Sequence, residues 1–283
     1  MSGGAEPGRS RDKTEGVTLP ATAREIAETL NVHMPQRAGT EVIDTPRYAA
    51  ILVPGEGPYQ NVVQRLRLRP EEVAPVVGEV RARFAAAGCH RVTWEVGTSA
   101  TPGDLAERLA GLGMVPEPRE PLVVGMVLSR PLPSSSTGVV ARRVTTLDEF
   151  RIASAILHRG FGGDGEEDPA AVEAAYARHS AVRQFARYLA YLGDAPVAAA
   201  DGLYVDAGVV LSGGVTLPEA RGRGAYRALI AARWEEGVRR GTPALISQAG
   251  AMSRPILKRL GFEEVAEIRV LLDEIGGDAG RST

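Results

Sequence analysis

Apolar residues recur along this chain in two periods, every second residue or every third to fourth, and glycines and prolines separate the segments that carry them. A period of two predicts a half-buried strand, and a period near 3.6 predicts an amphipathic helix. In the first half these patterns predict a helix over 22–30, a hairpin of strands over 47–53 and 61–69, a helix over 70–87, a strand over 91–96, a helix over 102–112 and a strand over 122–128.

The second half follows residues 131–138, whose sequence PLPSSSTG is typical of a linker. Thr146 and Glu149 have the spacing of a capping box, which marks the start of a helix. The predicted elements are a strand over 139–144, helices over 146–158 and 169–183, a hairpin over 187–192 and 196–204, a strand over 208–217, a helix over 225–240, a strand over 244–248, a helix over 253–260 and a strand over 263–272.

The two halves repeat one pattern. Pro70 and Pro218 each follow a predicted strand, and the spacing from Pro70 to Gly113 equals the spacing from Pro218 to Gly261. We therefore predict an α/β (α+β) protein of two tandem units. The predicted boundaries are a disordered leader at 1–18, a first unit at 19–130, a linker at 131–138, a second unit at 139–275 and a flexible tail at 276–283.

Residues 209–227, VVLSGGVTLPEARGRGAYR, combine the end of a strand with a glycine-rich turn and the start of a helix. The adjacent Gly213 and Gly214 predict a bulge in the strand or a close approach by another group. Pro218 ends the strand because it has no N–H to donate. The turn at 221–226 directs successive N–H groups and two guanidinium groups toward a helix N-terminus, which predicts a site for a polyanion such as a pyrophosphate.

Two nucleotide-binding motifs fail at this stretch. The phosphate loop requires a lysine after its last glycine, and Ala225 follows Gly224. A dinucleotide fingerprint that begins at Gly222 requires a third glycine where Arg227 stands. The alternative is a surface turn with two solvated arginines, but a strand, a proline, a glycine turn and a long helix in this order favour a built site.

The stretch resembles the acyl-CoA loop of the GCN5-related N-acetyltransferases (GNAT), in which Arg or Gln is followed by two residues, Gly, one residue and Gly or Ala. Arg221 and Gly224 match this loop, whereas Tyr226 stands at the last position. The predicted order of the second half, β-α-α-β-β-β-α-β-α-β, is also the order of that family. The resemblance implies two tandem GNAT-like domains, each a mixed, mostly antiparallel twisted sheet flanked by helices. It implies that acetyl-CoA is the co-substrate and is bound by Val215, Thr216, Leu217, Arg221, Gly222, Arg223, Gly224, Ala225 and Tyr226.

The first half lacks such a loop. Arg69, Pro70 and Glu71 lead directly into a helix, with no glycine to permit close approach of the backbone to a phosphate. We therefore expect the first half to bind no acyl-CoA and to serve as a scaffold or as one wall of the substrate cleft.

The sequence leaves the catalytic residues unassigned. Many members of the resembling family protonate the departing thiolate with a Tyr, and the matching position here is Leu257, which has no proton to give. Ser253 lies on the same helical face and is a candidate, although it also suits a helix N-cap. Tyr226 is a second candidate that also suits packing beside the co-substrate. Glu173 is a third, on a helix face that solvent can equally cover, and His158 is as suited to a helix end as to a base.

Four carboxylates fall in a glycine-rich loop between the first two helices of the second half, which borders the acceptor entrance in the resembling family. They are Asp164, Glu166, Glu167 and Asp168. Such a cluster would attract a cationic amine, so Asp164, Glu166 and Glu167 are candidate acceptor-binding residues. A mobile loop that its charge keeps soluble is the alternative.

Composition narrows the partners. A net charge of -2 and a pI near 6.2 give no global attraction to nucleic acid or to anionic membranes. The single cysteine, Cys89, excludes an intramolecular disulfide, and the four histidines show no ligand spacing, so we expect no metal. No apolar run reaches the ~18 residues of a membrane span, and no signal-peptide pattern is present. We expect a cytoplasmic monomer or homodimer without nucleic-acid or membrane partners.

These features predict an acyl-CoA-dependent N-acetyltransferase that transfers an acetyl group from acetyl-CoA to the amine of a small molecule or peptide, by direct attack in a ternary complex. The alternative is an acyl-CoA-binding protein without transferase activity, with a regulatory or structural role. A third hypothesis is an interaction module in which both halves are relics. The acceptor and the acyl-chain preference stay open.

Overall fold

A computed structural model describes residues 21–275 of the protein, except 37, 56, 58, 59, 134–137 and 243. The predicted leader and tail lie outside the described residues, and so do residues 134–137 of the predicted linker. The elements of the first half are α1 (Ala21–Glu28), a 3₁₀ turn (Leu30–His33), β1 (Glu41–Asp44), β2 (Ala49–Leu52), β3 (Val62–Gln64), a 3₁₀ turn (Pro70–Glu72), α2 (Val73–Ala86), β4 (Arg91–Gly97), α3 (Leu105–Gly111), β5 (Val115–Pro116) and β6 (Leu122–Leu128).

The second half has the order of elements that the sequence predicts. Its elements are β7 (Val139–Arg143), α4 (Leu147–Gly160), α5 (Pro169–Ala181), β8 (Phe185–Leu192), β9 (Ala195–Val205), β10 (Gly208–Thr216), a 3₁₀ turn (Pro218–Ala220), α6 (Ala225–Arg239), β11 (Leu245–Ala249), α7 (Arg254–Arg259) and β12 (Glu263–Glu274). The predicted cap is present, because the Thr146 side chain accepts a hydrogen bond from the Glu149 N–H. The Glu149 carboxylate in turn accepts from the N–H of Thr145.

Two strands were missed and one was predicted too long, each for a local reason. β1 buries only Ile43, so its alternation is not visible in the sequence. β5 is two residues long and pairs with Leu271 and Leu272 near the end of β12. β3 ends at Gln64 because Arg65 adopts a φ of 54°, which turns the backbone away from the extended conformation.

All strands join one open sheet in the order β1-β2-β3-β4-β12-β6-β11-β10-β9-β8-β7, with β5 beside β12. Two neighbouring pairs are parallel, β3 with β4 and β10 with β11. The other paired strands run antiparallel. The predicted mixed, mostly antiparallel sheet flanked by helices is therefore confirmed.

The last strand of each half lies in the sheet of the other half. β6 pairs with β11, for example through Leu128 and Leu245. β12 pairs with β4, through Leu271 and Trp94 among others, and also with β6. The two halves thus share one continuous sheet. The boundaries at the linker stay a prediction, and the exchange of strands across them is a feature that the sequence patterns did not predict.

Helices cover the sheet from both sides. Leu211 of β10 packs in one core with Leu229 of α6 and Leu257 of α7, on what we call the back face. Side chains alternate along a strand, and Val210 accordingly packs on the opposite, front face in a core with Ile26 of α1. Further cores join α4 to β8, β9 and β10, and α2 and α3 to β4.

Candidate functional site

The parallel pair β10 and β11 separates after its first residues. Among the described residues, the registered pairs are Val209 with Leu245 and Val210 with Ile246, although β10 continues to Thr216 and β11 to Ala249. On its far side β11 stays paired with β6 through Ala249, so it is held in the sheet while β10 diverges. The gap between residues 211–216 and 247–249, here called the splay cleft, leaves strand backbone groups of both sides without each other as partners.

β10 carries the predicted bulge beside this cleft. Its register against β9 shifts between Ser212 and Val215. Gly213 has a φ of 60°, a left-handed conformation that glycine adopts without steric cost. A Cβ on Gly214 would lie 2.8 Å from Cε2 of Tyr226, so the tyrosine ring lies directly on this glycine. Gly214 therefore makes room for the large residue at the position where the acyl-CoA loop usually has a small one.

The glycine-rich turn places the start of α6 at the same end of the cleft. Gly222 and Gly224 have φ values of 75° and 88°, and Gly224 is the N-cap of α6. The N–H groups of the first helical turn have no acceptors within the helix and carry positive dipole character. Arg221 and Arg223 are exposed beside them. The turn thus has the backbone donors and the two cations that the sequence analysis proposed for a polyanion.

Glycine contacts also hold α6 close to the sheet along its length. Tyr226 packs on Gly214, Cδ of Arg233 would lie 3.3 Å from a Cβ on Gly202, and a Cβ on Gly237 would lie 2.9 Å from Cγ2 of Val209. The helix therefore runs antiparallel to β10, with its N-terminus at the open end of the splay cleft. Burial raises the pKa of the Tyr226 hydroxyl, so this group stays protonated over the physiological range.

The predicted acceptor loop begins where α4 meets β10. Gly160 packs directly against the Val215 side chain, and Arg159 lies 3.8 Å from Glu219. The His158 ring packs against Gly163 inside the loop. Asp168 is the N-cap of α5, where its carboxylate accepts from Ala170 N–H. Asp164 and Glu166 are exposed and Glu167 is half-buried.

The candidate catalytic residues lie in different surroundings. Leu257 is 1% exposed and belongs to the core under α6 and α7. Ser253 is the N-cap residue of α7, but its side chain makes no capping hydrogen bond. Glu173 lies on the exposed surface of α5, 2.6 Å from Arg151. Tyr176, one turn away, donates to the Thr145 carbonyl. Catalytic roles for Ser253, Tyr226 and Glu173 stay predictions.

A charged cluster beside the bulge was missed by the sequence analysis. Arg187 of β8 donates to both carboxylate oxygens of Asp201 of β9, at 2.7 and 2.9 Å. Arg233 of α6 is 1% exposed and donates to the Asp201 carbonyl oxygen. Near this cluster, burial and the charge of Arg187 lower the pKa of His179 to about 4, so this imidazole is neutral at physiological pH. The sequence did contain a signal for this pair, because Arg187 and Asp201 are charged residues inside the otherwise apolar strands β8 and β9.

The first half has a matching parallel pair whose gap is filled. β3 and β4 pair through Val62 with Thr93 and Val63 with Trp94, and the next residues are Gln64 and Glu95. Gln64 Nε2 donates to one Glu95 oxygen at 3.1 Å, and Asn31 Nδ2, from the 3₁₀ turn after α1, donates to the other at 2.8 Å. Side-chain hydrogen bonds thus join β3 and β4 just beyond their last registered pair.

Three further expectations concern metals, thiols and membranes. The described part of the chain contains no group of three or more His, Cys, Asp and Glu side chains that could hold a metal ion. The absence of a metal stays a prediction. Cys89 is buried, with its thiol 3.6 Å from the Val53 carbonyl oxygen, in line with a small buried residue. Among the described helices, none is long and apolar enough to cross a membrane.

Comparison with known proteins identifies the fold. No family model matches the sequence, and no curated protein matches it. Among solved structures, a GCN5-related N-acetyltransferase from Kribbella flavida is similar over 90% of this chain and 96% of its own, with 21% identity and a TM-score of 0.66. A GCN5-related N-acetyltransferase from Sphaerobacter thermophilus is similar over 90% and 92%, with 17% identity and a TM-score of 0.58.

A third structure extends the likeness to the tandem arrangement. A tandem GNAT protein from the clavulanic acid biosynthesis pathway is similar over 92% of this chain and 89% of its own, with 17% identity and a TM-score of 0.60. Since the likeness extends over both halves, the protein has the fold of the tandem GCN5-related N-acetyltransferases. The expected fold is thereby confirmed.

Proposed function

We propose that this protein is an acyl-CoA-dependent N-acetyltransferase, which transfers an acetyl group from acetyl-CoA to the amine of a small molecule or peptide in a ternary complex. The observation that carries the proposal is the coincidence of three features at one end of β10. The splay cleft opens there, the bulge lies beside it, and the glycine turn at 221–226 starts α6 at its mouth.

Each part of acetyl-CoA has a matching feature. The pyrophosphate would bind the first-turn N–H groups of α6, with Arg221 and Arg223 beside it. The pantetheine arm carries amides, and β10 offers it backbone groups on the side that faces β11, where β10 has no registered partner after Val210 in the described part of the chain. The Leu217 N–H is already used, since it donates to the Val197 carbonyl of β9, so Val215 and Leu217 would line the arm and not hydrogen-bond it through that N–H. The splay cleft is therefore the proposed acyl-CoA site, and the filled gap at Glu95 is the reason we assign no second one to the first half.

The proposed reaction forms one bond and breaks one. The neutral amine attacks the thioester carbonyl carbon, the new C–N bond forms, and the C–S bond breaks as CoA thiolate leaves. One proton leaves the nitrogen and one must reach the sulfur. Leu257 cannot supply it and lies in the core, so the thiolate takes its proton from another group or from water.

The acidic loop is the proposed acceptor entrance. It starts at the end of α4, which packs on Val215 of the bulged strand. Asp164, Glu166 and Glu167 would raise the local concentration of a cationic amine and would favour amines over neutral acceptors. The loop therefore contributes to capture of the acceptor, and it has no part in our account of the chemical step.

The proposal is tested first by ligand binding. Acetyl-CoA at 100 times its Kd should stabilise the fold by about 2.7 kcal/mol, measured as a shift of the thermal midpoint. Arg221→Ala should lose most of this shift. Arg91→Ala, at an exposed arginine in the first half, is the matched control and should keep it. No shift in the wild-type protein would refute both the enzyme and the binding-protein hypotheses.

Activity separates the two remaining functions. Release of free CoA thiol in the presence of a library of primary amines, and not in its absence, identifies a transferase. The alternative, an acyl-CoA-binding protein without transferase activity, rests on the buried Leu257 at the position of the family's acid. A thermal shift without thiol release from any amine would favour that alternative.

A further inference from the structure

Asp201 of β9 is the residue that faces the bulge of β10. It pairs with Ser212, the last residue before the register of β10 shifts. A Cβ on Gly213 would lie 3.5 Å from its Oδ2 atom. A movement of Asp201 would therefore displace Ser212 and Gly213, the two residues that begin the bulge.

On the front face Asp201 is held by Arg187. The guanidinium donates to both carboxylate oxygens, and the two side chains are only 10% and 11% exposed. Nη1 of Arg187 also donates to the Ser154 hydroxyl of α4 at 3.0 Å, and the guanidinium stacks 4.2 Å over the Phe150 ring. A bidentate pair with these supports has one geometry, so the carboxylate is fixed.

On the back face the same residue is held by Arg233 of α6. Nη1 donates to the Asp201 carbonyl oxygen at 2.9 Å, and Nε donates to the Leu229 carbonyl at 3.0 Å. Gly202 leaves space for the arginine stem. Asp201 is thus clamped through its side chain from the front and through its backbone from the back.

Arg233 is buried, although the two hydrogen bonds described above both go to neutral backbone carbonyls, those of Leu229 and Asp201. It is 1% exposed, and within the described part of the chain its Nη2 has no hydrogen-bond partner. Its two other guanidine nitrogens donate to carbonyl oxygens and not to a carboxylate. A buried cation without a paired anion costs more than an apolar side chain of similar size. Stability alone does not account for an arginine at this position.

The place of Arg233 on its helix suggests what it does. It lies seven residues after Tyr226, which is two turns or about 10 Å along α6. Tyr226 lies at the end of the glycine turn, and Arg233 donates to Asp201 of β9, the strand that pairs with the bulged β10. The helix therefore connects the proposed pyrophosphate end of the cleft rigidly to the bulge.

We propose that Arg187 and Arg233 are positioning residues that clamp Asp201 and thereby fix the bulge of β10 relative to the turn that starts α6. The inference rests on the proposed function for its consequence: a thioester in the splay cleft lies against the bulge, and the clamp holds that backbone in the reactive arrangement. The clamp acts on turnover and leaves the affinity of the turn for acetyl-CoA nearly unchanged.

The test replaces Arg233 by Met, which keeps the length of the side chain and removes the charge. Arg233→Met should keep or raise the thermal midpoint, because an unpaired buried charge is gone. Amide exchange of residues 212–215 in the ligand-free protein should become faster. kcat should fall about ten- to a hundredfold with KM for acetyl-CoA within about twofold, as misplacement of reacting groups by about 1 Å predicts.

Arg81→Met is the matched control. Arg81 pairs with the buried Asp273 far from the bulge, so this variant should lower the thermal midpoint and leave kcat and the exchange of residues 212–215 unchanged. Arg233→Lys, which keeps the charge with a different donor geometry, should fall between wild type and Arg233→Met, and it replaces the latter if that variant does not fold.

Two outcomes overturn the inference. Wild-type exchange at residues 212–215 in folded Arg233→Met means that the clamp does not hold the bulge. Faster exchange with unchanged kcat means that the bulge position does not govern turnover. If the wild-type protein releases no thiol with any amine, the proposed function fails, and the exchange measurement alone still decides whether the clamp exists.

Discussion

Glu95 offers a quantitative test of the filled gap in the first half. The carboxyl is buried on β4, and its two contacts come from the neutral amides of Asn31 and Gln64. Burial outweighs these hydrogen bonds and raises the pKa of Glu95 to about 7. Glu95→Gln keeps the shape of the side chain and removes the titration.

The size and sign of the effect follow from linkage. A rise of the pKa from 4.5 to about 7 corresponds to roughly 3 kcal/mol, at 1.36 kcal/mol for each pKa unit. Between these values the folded state of the wild type binds more protons than the unfolded state, so this contribution to stability is present below pH 4.5 and is lost as pH rises through 7. Glu95→Gln should therefore gain about 3 kcal/mol relative to wild type between pH 4.5 and pH 8.5.

Urea denaturation at pH 4.5, 6, 7 and 8.5 measures this difference. His33 and His179 have lowered pKa values, so their contributions run the opposite way and are lost as pH falls. The difference between Glu95→Gln and wild type removes both contributions. Glu79→Gln is the control: hydrogen bonds from Tyr48 and Arg47 lower the pKa of Glu79 below 4.5, so its contribution to stability is already present at these pH values, and the difference between this variant and wild type should stay nearly constant from pH 4.5 to 8.5.

A constant difference between Glu95→Gln and wild type across these pH values would refute the reasoning. It would mean that Glu95 is ionised with a near-normal pKa and that water reaches the gap between β3 and β4. A pH-dependent difference of opposite sign would mean that a cation, and not the two amides, faces the carboxylate.

Three further predictions concern packing, charge and the acceptor. Gly125→Ala should lower stability by about 1–3 kcal/mol in denaturant titrations, because its Cβ would lie 2.7 Å from the carbonyl oxygen of Ala27 in α1. Arg187→Met should cost about 3–5 kcal/mol in the same measurement, since it leaves a buried carboxylate unpaired, and a neutral effect would contradict the burial of that pair. Replacing Glu166 and Glu167 together by Gln should raise KM for a cationic amine in a salt-dependent way. An unchanged KM would remove the loop from acceptor capture.

Local sequence signals predicted most of the fold. The N-cap of α4 was predicted from the residue types and the spacing of Thr146 and Glu149, and the structure has it. The bulge beside Gly213 and Gly214 was predicted because two glycines interrupt an apolar strand, and the contact of Gly214 with Tyr226 supplies the reason for one of them. β1 was missed because a strand with one buried residue has no period to detect.

The site was predictable only where it is contiguous in sequence. Residues 209–227 carry the bulge, the turn and the helix start in one segment, so their chemistry could be read together. Asp201, Arg187 and Arg233 lie in three separate elements, and each alone looks like an ordinary charged residue. Their arrangement depends on the register of β8, β9 and β10 and on the position of α6 against the sheet. Local sequence patterns predict neither.

The sequence by itself determined the order of elements, the two related halves and the single glycine turn, because periodicity, capping and turn chemistry act within a few residues. Tertiary structure alone decided that side chains bridge the end of the parallel pair β3 and β4 in the first half, where Asn31 and Gln64 both donate to Glu95. It also decided the exchange of β6 and β12, which places Arg81 beside Asp273, 192 residues away. Such contacts depend on which strands pair across the whole sheet. Because backbone hydrogen bonds can form between any two strands of suitable length, the sequence of one strand does not determine its partner.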